Sequence, residues 1–197
     1  GHNFKIASGQ GAFIFGNNIT ANLLTVESGG VDVTGTTTTN GLLSSAASAG
    51  TNAFSAGLSA GSDTQGALGV AIGNQAGRTT QGTQAVAVGY IAGQVTQGSY
   101  SVAVGSSAGQ TTQGDYGVAV GLSAGNSAQG ASAVAVGRLA GTTTQGNNAV
   151  AVGTSAGNNT QGSESVAVGA SAGTTNQGAF SVASGYLAGN SDQGEST

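Results

Sequence analysis

From Thr51 onward the chain repeats one sixteen-residue phrase nine times, and a period that short decides most of what the chain can fold into. The units open at Thr51, Ala67, Thr83, Ser99, Asp115, Ala131, Asn147, Ser163 and Ala179, and the last closes at Gly194. They share the pattern x-x-x-V-A-V-G-x-x-A-G-x-x-x-Q-G. Gly89, Ala92, Gly93, Gln97 and Gly98 of the third unit have identical counterparts in all the others. Sixteen residues cannot hold a pair of helices, and a Gly at every fourth or fifth place works against even one. Stacked repeats that bury a face only against their neighbours satisfy the pattern. The drift of the V-A-V places in the first unit (Phe54, Ser55, Ala56) and the last (Ser184) is what the ends of an array show.

A β reading fits each unit. Val86-Ala87-Val88 is a short β-branched strand, and Gly89 ends it where a positive φ is wanted. Tyr90-Ile91-Ala92 is predicted as a second strand closed by Gly93, with Gln94 to Gly98 as the return turn. Two strands and two turns make one coil of a parallel β-solenoid. Nine coils at the strand spacing give a rod of about 43 Å. Alternation puts the two valines on one face and Ala87 on the other. Both faces are apolar, so both ask to be covered. The expectation is a valine core inside the roll and an alanine column against neighbouring copies, in a homotrimer with its axis along the rod. The in-register glutamines are predicted to form an amide ladder.

The unit "SVAVGSSAG" at Ser101 to Gly109 is similar to the head repeats of trimeric autotransporter adhesins, whose units are usually shorter. That resemblance implies a left-handed parallel β-roll trimer. The variant carrying "TQG", as at Thr112 to Gly114, looks like fibre proteins of phages and large DNA viruses. The resemblance spans residues 51–197. Residues 1–50 hold alternating apolar runs (Phe13-Ile14-Phe15, Leu23 to Val26, Val31-Asp32-Val33) between Gly, Asn and Ser clusters, a strand-and-turn signature. They are expected to form a short β-rich shaft segment ahead of the solenoid.

Composition narrows the function classes. A net charge of −4 with only three Lys or Arg leaves no basic face for nucleic acid. No apolar run approaches the roughly 18 residues of a membrane helix, so no membrane insertion is expected. There is one His, His2, and no Cys, so neither a Ser-His-Asp nor a Cys-His nucleophile is in prospect. Asp63, Asp115, Glu164 and Asp192 fall at different places of different units and read as solvating charges. Calcium-binding roll repeats carry an aspartate in every turn, and these do not. No enzyme activity, cofactor or metal is expected.

What varies against this constant background is a small set of bulky residues. Tyr90, Tyr100, Tyr116, Phe180 and Tyr186 occupy places the repeat leaves free, as do Leu122, Leu139 and Leu187. The five aromatics are the candidate surface contacts for a host glycan or protein, or else packing residues that cover adjacent coils. Tyr100 and Tyr116 should stand about 4.8 Å apart in one column. Thr80, Thr96, Thr112, Thr144 and Thr160 form a column broken by Ala128, Asn176 and Asp192, which keeps an ice-binding solenoid as a remote alternative. The leading expectation is a structural fibre protein, the shaft or head of a viral tail or surface fibre supporting host attachment, located on the virion. The alternative is a trimeric adhesin on an extracellular cell surface, binding matrix or glycan.

Overall fold

A computed structural model describes residues 50–194, so the shaft expected over residues 1–50 lies, Gly50 apart, outside the described residues. The described chain is all-β, coil upon coil. Nine three-residue strands, from Phe54–Ala56 and Val70–Ile72 to Val182–Ser184, pair in parallel in one sheet. Eight short strands, from Thr80–Gln81 and Thr96–Gln97 to Ser191–Gln193, form the second. The register is the sequence period itself: Val86 pairs with Val102 and Ala87 with Ala103, and Gln97 pairs with Gln113.

The second strand is not the expected one. Tyr90-Ile91-Ala92 forms a corner, with Ile91 at φ 49°, and the extended pair is Thr96–Gln97. The reason is the reach of the coil. Gln97 is buried and donates from its Nε2 to the Val86 carbonyl across the roll at 2.8 Å, so the chain must run straight there to turn the side chain inward. Gln129 shows the whole arrangement: its Nε2 meets Val118 O at 2.8 Å, Ala133 O at 3.2 Å and Oε1 of Gln145 at 3.2 Å. The amide ladder is present in two runs, Gln81 to Gln97 and Gln113 through Gln129 and Gln145 to Gln161, and the glutamines also brace one sheet against the other.

The core is the reverse of the expected one. Ala71, Ala87, Ala103, Ala119, Ala135, Ala151 and Ala167 are fully buried inside the roll, together with the Ala92 column from the corner. The flanking valines point outward and are partly exposed. A bridge of one Gln side chain between the sheets leaves room for methyl groups and no more. Valine would overfill the space. The alanine column therefore cannot be an interface between copies, and the face that remains uncovered is the valine face.

Two glycine columns make the tight stacking possible. A Cβ on Gly89 (φ 135°) would lie 2.5 Å from the carbonyl oxygen of Gly105 in the next coil. One on Gly93 (φ 52°) would lie 2.7 Å from Oε1 of Gln97. The first protects the close approach of backbones, the second the amide ladder.

Candidate functional surface

The interior of the roll is occupied by alanine and glutamine, so any function has to be sought on the outside. Four outward features run along the rod. The first is the valine face, formed by Val86, Val102, Val118, Val134 and Val150 in one column and Val88, Val104, Val120, Val136 and Val152 in another. No charged residue interrupts either column.

The second is a polar ladder at the foot of the Thr-Gln sheet. Gln110 donates to Oε1 of Gln94 at 3.2 Å, Asn126 donates to Oε1 of Gln110 at 3.0 Å, and Asn158 donates to Oγ1 of Thr142 at 3.1 Å. Asn126 and Asn158 also reach the carbonyls of Ser107 and Leu139 at 2.9 Å. These side chains are engaged with each other and hold the corner between coils.

The third is the threonine column on the outer side of the Thr-Gln strands, exposed at Thr80, Thr96, Thr112, Thr144 and Thr160. Ala128 interrupts it midway, and Asn176 with Asp192 ends it, the pair joined by a 2.8 Å bond from Asn176 to the Asp192 carboxylate. A lattice match of hydroxyls over many rungs is not offered.

The fourth comprises the bulky variable residues, which fall into two separate columns. Tyr90 and Tyr186 lie on the column of Leu58, Leu122 and Arg138, just past the valine strand. Tyr100, Tyr116 and Phe180 lie on the column that enters it, with Leu68, Gln84, Ser132, Asn148 and Glu164. All five aromatics are exposed. Tyr100 and Tyr116 stack with ring centroids 5.1 Å apart and planes 4° from parallel, the spacing the repeat predicts. Tyr90 does not join them. Ser132, Asn148 and Glu164, unremarkable as isolated loop residues, become neighbours of the tyrosine stack once the coils are in register.

Every residue of the Tyr100 column has a left-handed backbone, with φ between 55° and 60° from Asn52 to Phe180. Asn tolerates that conformation and a bulky side chain does so less readily. The sequence carries no glycine there to announce it. From Leu68 onward each backbone N–H of the column is bound to the coil before: Tyr116 to the Ser99 carbonyl at 2.9 Å, Ser132 to that of Asp115 at 2.8 Å, Asn148 to that of Ala131 at 2.9 Å.

The acids stay apart. Asp63 lies 3.9 Å from Nε of Arg78 in an exposed pair, Asp115 accepts from the Ser99 N–H at 2.7 Å, and Glu164 is exposed on the tyrosine column. Among the described residues no three of His, Cys, Asp and Glu are grouped as metal ligands.

These features define a repeat protein of the parallel β-solenoid class, with nine sixteen-residue coils and an uncovered apolar face. No protein-family model, curated protein or solved structure matches the chain.

Proposed function

We propose that the solenoid is a non-enzymatic structural rod, three copies lying side by side about an axis along their length. It would serve as the shaft or head of a viral tail or surface fibre and support attachment to a host. The observation that carries this reading is the valine face. Its two columns make a strip of roughly 43 Å by 10 Å from strand spacing and rise. No charged residue interrupts it, and its partly exposed side chains offer a continuous apolar surface to a partner. Its side chains repeat at the pitch of the rungs, so a surface matching it along its whole length is a ladder of the same pitch. Another copy of the chain supplies one. Two columns per chain let the Val86 column face one neighbour and the Val88 column the other, as a three-fold axis requires. Nothing in such an assembly calls for a unique catalytic cluster.

The same rod would serve a trimeric cell-surface adhesin, the reading favoured by the resemblance of Ser101 to Gly109. A membrane-anchor segment in the full-length reading frame would select the adhesin, and a baseplate-attachment or chaperone segment the virus.

The assembly is tested by light scattering on the intact chain and on Val120→Asp and Val136→Asp. The expected mass is three times 18.4 kDa for the parent and one chain for the variants, with unchanged far-UV circular dichroism. Burying an unpaired carboxylate costs several kcal/mol, which the interface cannot offset. A parent mass of one chain, or variants that remain trimeric, overturns the assignment.

A further inference from the structure

We infer that the exposed face of Tyr116 and the two polar rungs that follow it, Ser132 and Asn148, form a binding site for a neutral pyranose, the terminal sugar of a glycan. The inference deepens the host-attachment reading by naming a ligand class, and it rests on that reading for its biological setting. The site itself lies within one chain and does not depend on how copies assemble.

Stacking in this column is set by the rungs. Tyr100 and Tyr116 lie one above the other with near-parallel rings, so a ring-shaped group one rung further on would continue the stack. That place belongs to Ser132, whose side chain ends at its hydroxyl and carries no ring. Asn148 and Glu164 occupy the next two rungs, and Phe180 the rung after, about 19 Å from Tyr116 at the strand pitch. The column thus presents an aromatic face, a hydroxyl, an amide and a carboxylate in that order. Tyr100 is 48 % exposed and Tyr116 60 %.

The chemistry of a pyranose fits each part. Its C–H face is apolar and lies flat on an aromatic ring, while its hydroxyls radiate in the ring plane and seek donors and acceptors. Ser132 and Asn148, one and two rungs from Tyr116, supply both, while Glu164 at about 14 Å stands beyond a single stacked sugar. Tyr offers such a surface with few torsions to freeze. The backbone adds to this: the bond from each rung to the one before fixes the column, so little order is lost on binding. Tyr also sits at φ 60° twice in succession where Asn would fit the backbone better, so backbone preference does not account for its presence.

Charge selects among sugars. Asp115 adjoins Tyr116 and Glu164 stands three rungs above it, and no cation shares the column. Anionic sugars are disfavoured. A quaternary ammonium ion, which acids and tyrosine can also attract, is normally held by several aromatic faces at once. Tyr116 offers one.

The probes are the methyl glycosides of glucose, galactose and mannose, with methyl sialoside and tetramethylammonium as controls. They are titrated into the full chain carrying ring-labelled tyrosine and followed by NMR. At least one neutral glycoside is expected to shift the Tyr116 ring signals, and those of Tyr100 less, while Tyr90 and Tyr186 stay in place. Ser132→Tyr fills the empty place with a residue this column already accepts and is expected to weaken binding at least about tenfold, as loss of one stacking face does. Tyr116→Ser, a residue the column accepts at Ser132, is expected to do the same. Both variants should melt with the parent. No shift with any neutral glycoside up to about 10 mM, a concentration that detects even millimolar binding, overturns the inference. So does binding unaltered by Ser132→Tyr, or a response to the controls alone. The light-scattering mass of the same samples separates failure of this site from failure of the trimer.

Discussion

Replacing Gly121 with Ala tests the stacking of the coils most directly, because the chain contains its own control four residues away. Gly121 has φ 128°, a region L-residues with side chains rarely enter, and its added Cβ would stand 2.6 Å from the carbonyl oxygen of Gly137 and 2.8 Å from its carbon. Backbone strain of that kind costs about 1–3 kcal/mol. The overlap is with backbone in the next coil, which cannot rotate away, and overpacking of a tight interior adds about 1–3 kcal/mol. Together they predict a loss of about 2–6 kcal/mol. Gly117 has no positive φ, and its added Cβ meets the Gly114 carbonyl at 3.0 Å and the Gln113 side chain at 3.2 Å. The equivalent residues Ala85, Ala133 and Ala149 already carry that methyl. Gly117→Ala should therefore change stability by less than about 1 kcal/mol, in line with a Gly replaced where the backbone suits Ala. Thermal melting by far-UV circular dichroism reads both. At about 2–4 °C per kcal/mol for a domain of this size, Gly121→Ala should melt about 4–24 °C below the parent. Equal melting of the two variants would refute the close-approach argument.

Gln129→Leu keeps the volume but removes four hydrogen bonds from the brace between the sheets, three donated by Nε2 and one accepted by Oε1 from Gln113. A loss of about 2–4 kcal/mol is expected in urea denaturation, since the carbonyls it served stay buried. Asp63→Asn breaks an exposed pair at 3.9 Å and should shift the same midpoint by less than about 0.5 kcal/mol. Ala119→Val places a larger side chain in the filled interior and is expected to lower the melting temperature while leaving the light-scattering mass unchanged. An altered mass with unchanged melting would return the alanines to an interface. With Ala128 interrupting the threonine column, no thermal hysteresis is expected at about millimolar protein, and its appearance would favour the ice-binding alternative.

The period of the sequence by itself determined the coil, the parallel register and the glutamine ladder. An identical phrase repeated without insertion can only stack in phase, and a phase error would cost every rung at once. It also determined that Tyr100 and Tyr116 stack, because both fill the same place of adjacent units. Alternation along Val86-Ala87-Val88 established that valine and alanine face opposite ways, but it contains no sign to say which way is inward. That was decided by the width of the roll. Gln97 spans from one sheet to the Val86 carbonyl of the other at 2.8 Å, and in that gap a methyl group fits and an isopropyl group does not. The same width moved the second strand from Tyr90-Ile91-Ala92 to Thr96–Gln97, since a coil this narrow must turn sharply at Ile91, β-branched or not. The grouping of Tyr116 with Ser132, Asn148 and Glu164 was equally invisible in linear order. Residues sixteen apart become neighbours only when the coils close, and it is the bonds between successive coils that line them up on one surface.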